Sequence, residues 1–332
     1  MKTICKVVKK LMIWLIAVIL LGLVSIFSYH HYQLMKESAL LTDEGSLVKV
    51  NDKKINVYNE GDGKDTYVLM AGSGIAAPIY EMKGLYSKFF VENKIAVMER
   101  AGYGYSDVFN DARDIDTMLE QTREALLQSG NKPPYILMPH SLSGIEAIYW
   151  AQKYPQEIKA IIALDIGLPQ QYVTHKMSLT NRWTVRGVNL LTELGLHRLV
   201  PEMTYNPEVM KQSFLTKEEK EIYKAISFKQ FFNNDMKEEL LHAYENSQKS
   251  INLPKPKETP ILFIDAIAEQ NKNSKYTKQQ SKDYRDFAKQ LNTSEVVEVS
   301  GTHSIYLYKP DEIYDLSQAF IKSKVDKKER SK

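Results

Sequence analysis

The sequence has little cysteine and no strong excess of charge of either sign. Its one cysteine, Cys5, precedes a long apolar run, so the rest of the chain cannot form a disulfide framework or a thiolate zinc site. Lysine and arginine number 44 against 41 aspartate and glutamate, a formal net charge of +3. A nucleic-acid-binding surface normally requires a clustered basic excess. We therefore expect no nucleic-acid partner.

The short motifs of phosphate-binding and metal-dependent enzymes are also missing from the sequence. Neither GxGxxG nor GxxxxGK[ST] occurs, and no HxxxH or HxHxD cluster offers a set of metal ligands. These absences argue against a phosphate-binding site and against a metal-dependent hydrolase.

The N-terminus carries the longest apolar run of the chain. Lysines at positions 2, 6, 9 and 10 precede an uncharged run over residues 11–29, close to the roughly 20 residues that a helix needs to cross a bilayer. Residues 25–28 (SIFS) make a poor signal-peptidase site. The pattern predicts an uncleaved signal anchor, with residues 1–10 in the cytoplasm, 11–29 in the cell membrane, and a linker over 30–44. The folded part would then lie outside the cell.

From residue 45 onward, strand and helix patterns alternate. Short apolar runs separated by helical segments predict a mostly parallel sheet with helices on both faces. The alternation stops over residues 168–257, where helical patterns follow one another without a strand-like run, and it then resumes. We predict an α/β core formed by residues 45–167 and 258–323, a helical insertion over 168–257, and a charged tail over 324–332.

A serine follows one of the predicted central strands. Ser141 stands in the hexapeptide PHSLSG at 139–144, between the apolar run 135–138 and a helix. In a nucleophile elbow the serine occupies a sharp strand-to-helix turn that needs small residues two positions before and after it. Here those positions are Pro139, which is bulky, and Ser143, which is small. A serine that simply caps the helix would explain the same hexapeptide.

Two further loops predict the partners of this serine. His303 directly follows the last predicted strand, in the chain order serine, acid, histidine of an elbow-type triad, although an ordinary loop histidine would also fit. The glycine-rich loop 71–74 follows the third strand. Its Ser73 N–H, with that of Leu142, is predicted to hold a developing oxyanion.

Together these segments resemble the α/β-hydrolase superfamily, in its lidded branch of esterases, lipases and prolyl aminopeptidases. ERAGYG at 99–104 is similar to the D-R-x-G-x-G loop of that branch, with Glu in place of Asp, and HSLSG at 140–144 is similar to its H-S-x-G-G elbow. The similarity extends over residues 47–321. It implies an eight-stranded sheet, a Ser-His-acid triad, a helical lid over the site, and no cofactor.

The acid of the triad stays open among three carboxylates. Asp165 stands at the end of the sixth strand. Glu269 occupies the position after the seventh strand that many members of the superfamily use, although the turn glycine is Ala266 here. Asp265 is the third choice. We place Asp165 first and Glu269 second, and expect the carboxylates without this role to cap loops or helices.

The sequence predicts a membrane-anchored serine hydrolase that cleaves a small-molecule ester through an acyl-enzyme, with Ser141 as nucleophile and His303 as base. A prolyl-type aminopeptidase is the alternative, which would need an acidic lid residue to bind a substrate amine; Glu193, Glu202 and Glu208 are available. A non-catalytic, membrane-anchored binding protein is the alternative from another class. Apolar lid residues such as Trp183, Leu190 and Leu191 are expected to form the core of the lid more readily than an acyl pocket.

Overall fold

A long helix, α1 (Lys2–Glu37), contains the N-terminal apolar run. The computed structural model describes residues 2–42 and 44–327, so Met1, Asp43 and residues 328–332 of the predicted charged tail lie outside the described residues. By length and composition, α1 is able to cross a membrane, and none of its most apolar window is buried against the protein. Residues 30–37, predicted as part of a linker, instead continue the helix, and a 3₁₀ turn (Ser38–Leu40) follows.

Eight strands form one sheet in the described part of the chain. They are β1 (Ser46–Val50), β2 (Lys53–Glu60), β3 (Thr66–Met70), β4 (Lys94–Glu99), β5 (Tyr135–Pro139), β6 (Ile158–Leu164), β7 (Ile261–Ile267) and β8 (Ser294–Ser300). Their order is β1-β2-β4-β3-β5-β6-β7-β8. The pairs β1–β2 and β2–β4 are antiparallel and the others are parallel. The predicted fold class is thereby confirmed.

The remaining helices cover the sheet and fill the interval between β6 and β7. They are α2 (Pro78–Glu81), α3 (Lys83–Tyr86), α4 (Ile115–Gln128), α5 (Ser143–Lys153), α6 (Pro169–Thr174), α7 (Leu179–Glu193), α8 (Pro201–Thr204), α9 (Pro207–Lys211), α10 (Lys217–Gln230), α11 (Asn234–Leu241), α12 (Ala243–Ile251), α13 (Lys275–Ala288) and α14 (Pro310–Phe320). A π-helical turn (Ile321–Val325) follows α14. We call α6–α12 the helical block.

The strand pattern follows from burial on both faces of the sheet. Every residue of β3, β5 and β6 is buried, as continuous apolar runs in parallel strands require. The hairpin between β1 and β2 turns at Asn51 and Asp52. Their φ values of +49° and +64° are those of a tight primed turn, which Asn and Asp tolerate.

A buried ion cluster fastens the helical block to the core. Glu239 of α11 accepts hydrogen bonds from Arg100 Nε at 3.1 Å and from the Tyr103 hydroxyl at 2.7 Å, and Arg113 lies 3.5 Å away. Arg100 also donates to the Ala71 carbonyl at 2.8 Å. The loop after β3, the turn after β4 and α11 are therefore held by one set of charges.

The turn after β4 depends on a glycine. Gly104 has a φ of +54°, and a Cβ there would lie 1.9–2.0 Å from the carboxylate atoms of Glu99. Glu99 is fully buried, and it accepts hydrogen bonds from the Tyr105 N–H at 2.8 Å and from Asn56 Nδ2 at 3.0 Å. No side chain fits at 104 without displacing this carboxylate.

We expect Gly104→Ala to destabilise the protein strongly, because it adds a steric overlap to the cost of a left-handed backbone. Gly130→Ala is the matched control, since Gly130 has a φ of +83° and nothing within 4 Å of the position of a Cβ. The control should lose about 1–2 kcal/mol, and Gly104→Ala roughly twice that or more. Urea unfolding of the full chain in detergent measures both, and equal losses would contradict the assigned packing.

Candidate active site

Ser141 occupies a strained turn between β5 and α5. Its φ is +55°, a left-handed conformation that a non-glycine residue adopts at a cost. The neighbouring Ser143 hydroxyl donates to the Met70 carbonyl at 2.7 Å and accepts from the His140 N–H at 3.0 Å. A serine is therefore accommodated where the resembling family has glycine, because its hydroxyl ties the elbow to β3.

His303 and Asp165 form a hydrogen-bonded pair beside this turn. His303 Nδ1 donates to Asp165 Oδ2 at 2.6 Å. In the tautomer with its proton on Nδ1, Nε2 carries a lone pair that can accept a proton. Asp165 is buried, and its Oδ1 accepts from the Ala266 N–H at 3.2 Å and from Gln280 Nε2 at 2.7 Å. The His303 side chain is 55% exposed. A fixed carboxylate thus orients an accessible imidazole.

The other two carboxylates considered for the acid lie elsewhere. Glu269 is exposed and pairs with Lys272 at 2.6 Å. Asp265 is buried and accepts a hydrogen bond from the Ser281 hydroxyl, and burial raises its pKa to about 6. Among the hydrogen bonds of the described residues, none joins Glu269 or Asp265 to His303.

The loop after β3 approaches the elbow at van der Waals distance. A Cβ at Gly72 would lie 2.8 Å from both His140 Nδ1 and Ser141 Cβ, so the contact requires glycine. Within the described part of the chain, no protein acceptor is bonded to the backbone N–H of Ser73 or of Leu142. Two N–H donors beside Ser141 are therefore available to an oxyanion.

Two clefts meet at Ser141 and His303. The larger, of about 460 Å³, lies against α13 and α6. The smaller, of about 310 Å³, lies between the loop after β3 and the helical block. The larger is lined by Tyr172, Tyr276, Gln280 and Asp283 among others, and the smaller by Ser73, Glu81, Glu202, Met203, Tyr223 and Tyr306 among others. The two clefts therefore offer separate space for the groups on either side of a bond that lies at Ser141.

Glu81 is a site residue that sequence reasoning missed. It is buried at the wall of the smaller cleft, where it accepts hydrogen bonds from the hydroxyls of Tyr223 and Tyr306, each at 2.9 Å, and from Asn206 Nδ2 at 3.3 Å. Burial raises the pKa of Glu81, against the effect of these donors. In the sequence Glu81 is the one charged residue of the segment PIYEM at 78–82, and that was the available signal.

His140 supports the loop that carries His303. Its Nε2 donates to the His303 carbonyl at 3.0 Å, and its ring packs edge-on against Tyr306 at 4.9 Å between centroids. Nδ1 has no partner among the described residues. Burial, and secondarily the neighbouring His303, lower the pKa of His140 to about 3.

Of the residues predicted for the lid, one carboxylate lines a cleft and the others named above lie at the surface. Glu202 lines the smaller cleft, whereas Glu193 is exposed and Glu208 pairs with Lys211 at 2.5 Å. Trp183 is exposed, as are Leu190 and Leu191. The expectation that these three form the core of the lid was therefore wrong.

Comparisons with known proteins identify one relative of high sequence identity and several solved structures of similar fold. No protein-family model matches the sequence. The chain is 66% identical over 322 residues, 97% of its own length and 99% of the relative's, to an uncharacterized protein, YbdG, of Bacillus subtilis (strain 168). Among solved structures, it resembles the epoxide hydrolase VrEH1 of Vigna radiata, with a TM-score of 0.63, 17% identity, and coverage of 84% of this chain and 97% of that one.

A second structural neighbour carries a broader description. It is MGS-M2, an alpha/beta hydrolase enzyme from a Medee basin deep-sea metagenome library. The TM-score is 0.59 at 15% identity, with coverage of 84% of this chain and 98% of that one. At these identities the likeness concerns the fold, and it does not select a substrate.

We expect His140→Gln to make the protein less sensitive to acid. The pKa of His140 is lowered from 6.5 to about 3 in the folded state, so its contribution to stability is complete above pH 6.5 and is lost as the pH falls toward 3. Between pH 6.5 and 4 the parent should lose about 3 kcal/mol more than the variant. Glutamine keeps a donor for the His303 carbonyl.

Urea unfolding at pH 7, 6, 5 and 4 measures this difference. The carboxylates titrate in both proteins, so their contribution cancels in the comparison. Parallel pH profiles of the parent and His140→Gln would contradict a buried, neutral imidazole at this position.

Proposed function

We propose that the chain, which belongs to one family with YbdG of B. subtilis and has the α/β-hydrolase fold, is a serine hydrolase that cleaves small-molecule carboxylic esters. One observation carries the proposal. The 2.6 Å bond between His303 Nδ1 and Asp165 leaves the other imidazole nitrogen free at the two clefts that also contain Ser141. A Ser-His-Asp triad requires this pairing of histidine and carboxylate, with the second imidazole nitrogen open to the serine.

In the first half-reaction, Ser141 Oγ attacks the ester carbonyl while His303 Nε2 takes its proton. Asp165 holds the ring in the required tautomer and stabilises the imidazolium. The Ser73 and Leu142 N–H groups donate to the oxyanion of the tetrahedral intermediate. The intermediate then collapses, the imidazolium proton passes to the leaving alkoxide, and an alcohol departs from an acyl-Ser141.

In the second half-reaction, water enters by the cleft that the alcohol has left. His303 takes a proton from the water as its oxygen attacks the acyl carbonyl. Collapse of the second tetrahedral intermediate breaks the bond to Ser141 Oγ, which recovers the proton from His303. The carboxylic acid is released and the resting enzyme is restored.

A peptide substrate with a free amine would need a carboxylate at the smaller cleft to bind its ammonium group. Of the two carboxylates at the smaller cleft, Glu81 already accepts three hydrogen bonds. Glu202 is therefore the remaining candidate for an ammonium partner in a prolyl-type aminopeptidase, the second function that we consider. The non-catalytic alternative is tested by the same experiments.

The proposal includes α1 as a membrane anchor. The lysines at 2, 6, 9 and 10 favour a cytoplasmic N-terminus under the positive-inside rule. The core and the helical block would then lie on the outer face of the cell membrane.

We expect a fluorophosphonate probe to label the full chain at Ser141 and to leave Ser141→Ala unlabelled. Asp165→Asn should lower kcat for a p-nitrophenyl ester by roughly 10³–10⁴-fold, because the imidazole loses its tautomer and its counter-charge. Glu269→Gln is the matched control and should keep the parental kcat, since Glu269 is exposed and pairs with Lys272.

Two results would overturn this assignment. Equal labelling of the parent and Ser141→Ala would remove the serine from the mechanism. A large loss in Glu269→Gln with none in Asp165→Asn would transfer the acid to the loop after β7. Circular dichroism of each variant separates these outcomes from unfolding.

We expect the enzyme to hydrolyse p-nitrophenyl esters and to leave prolyl p-nitroanilide uncleaved. Glu202→Gln should keep the activity toward the ester, because no step of ester cleavage needs this carboxylate. Selective hydrolysis of the prolyl amide, lost in Glu202→Gln, would instead establish the aminopeptidase.

A further inference from the structure

Helix α7 buries two polar residues and exposes several large apolar ones. Its buried residues are Asn189 and Thr192, whereas Leu179, Trp183 and Leu190 are 77%, 71% and 56% exposed. At about 100° per residue these three side chains fall within roughly 40° of one another around the helix axis. A helix that faces water has the opposite distribution.

Further large apolar side chains are exposed beyond the end of α7. Leu199, Val200 and Met203, on the 3₁₀ turn after α7 and on α8, are also exposed. We call Leu179, Trp183, Leu190, Leu199, Val200 and Met203 the apolar face. Large apolar side chains exposed in this number on one segment mark an interaction site on a water-soluble domain.

The segment between the two parts of the apolar face is fastened to α1. The guanidinium of Arg198 donates to both carboxylate oxygens of Glu37, at 2.8 Å and 2.6 Å, and to His30 Nδ1 at 2.8 Å. Gly195 packs directly on the helix, since a Cβ there would lie 2.5 Å from His30 Cβ. This contact fixes the helical block to the helix that contains the apolar run.

The contact lies where the apolar run ends. The uncharged run covers residues 11–29, about 28 Å at 1.5 Å per residue, which matches the thickness of the hydrocarbon core. His30 is the next residue. If α1 spans the bilayer, its contact with Arg198 holds residues 195–203 at the level of the lipid headgroups.

We propose that the apolar face inserts into the leaflet from which α1 emerges, so that the smaller cleft opens toward the bilayer and accepts amphiphilic, membrane-partitioned esters. The inference rests on the anchor and the esterase of the proposed function. Met203 connects the apolar face with the smaller cleft. It belongs to the apolar face and also lines the smaller cleft, as Ser141 does. The Arg186 guanidinium lies 5.7 Å from the Trp183 ring centroid, and such a pairing of aromatic and basic side chains suits the membrane interface.

The test uses the fluorescence of Trp183 in the full chain. The sequence has three tryptophans, Trp14, Trp150 and Trp183, and Trp150 is fully buried. Trp14→Phe is reconstituted into phosphatidylcholine vesicles with plain or brominated acyl chains, because bromine quenches indoles that it contacts. We expect bromine to quench the Trp183 emission, and iodide added to the outer solution to have little effect on it.

A tryptophan far from the lid is the matched control. Val91 is 76% exposed and precedes the start of β4, at the edge of the sheet opposite Ser141. In the Trp14→Phe/Trp183→Phe background, Val91→Trp should be quenched by iodide and unaffected by brominated lipid. The same iodide response for Trp183 would overturn the inference, as would protection of Trp183 from both quenchers, which indicates a protein partner or a second copy.

A second arm measures substrate access. Trp183→Ser/Leu190→Ser should lose about tenfold in kcat/KM for an ester embedded in vesicles and keep its kcat/KM for a water-soluble ester. Equal kcat/KM of the variant and the parent on both substrates would overturn the inference. If the parent hydrolyses neither ester, the proposed esterase fails, while the quenching result still decides whether the apolar face contacts lipid.

Discussion

The buried charge cluster around Glu239 is the constraint on which the site depends. Burial by itself raises the pKa of Glu239, but the charges of Arg100 and Arg113 outweigh it and lower that pKa, so the group stays ionised. Removing one member would leave an uncompensated buried charge at a cost of about 3–5 kcal/mol. Since Arg100 also donates to the Ala71 carbonyl, the loop after β3 and α11 are positioned by the same interaction.

The sheet and the order of the site residues were predictable because they follow from local patterns. Apolar runs of fixed length specify buried parallel strands, and chain order relates Ser141 to His303. The acid was harder to assign, because β6 and β7 pair in register up to Leu164 and Ile264, so Asp165 and Asp265 follow equivalent positions. The φ of +46° at Asp165 turns the chain there, and no residue pattern specifies such a turn.

The helical block was predicted as helical, yet its faces were not. An apolar stripe identifies one side of a helix and leaves open whether protein or lipid covers that side. In α7 the covered positions are Asn189 and Thr192. Asn189 Nδ2 donates to the Phe232 carbonyl, and the Thr192 hydroxyl donates to the Val188 carbonyl one turn earlier. The same limit applies to residues 30–37, which were predicted as part of a linker. Their place in α1 depends on tertiary contacts of His30 and Glu37 with Arg198, which no local pattern reveals.

A second buried carboxylate, that of Glu81, limits how the helical block can move to open the site. Glu81 of α2 accepts hydrogen bonds from Tyr223 and Asn206 of the helical block and also from Tyr306, which packs against His140 beside the loop that carries His303. Rigid displacement of the whole block would break this cluster and that of Glu239 together, and would leave several polar groups unpaired. The two clefts already reach Ser141 with the block in place. Under the proposed function, substrate enters through these clefts without displacement of the block. Met203, which lines the smaller cleft and belongs to the apolar face, then lies on the route of a membrane-partitioned ester.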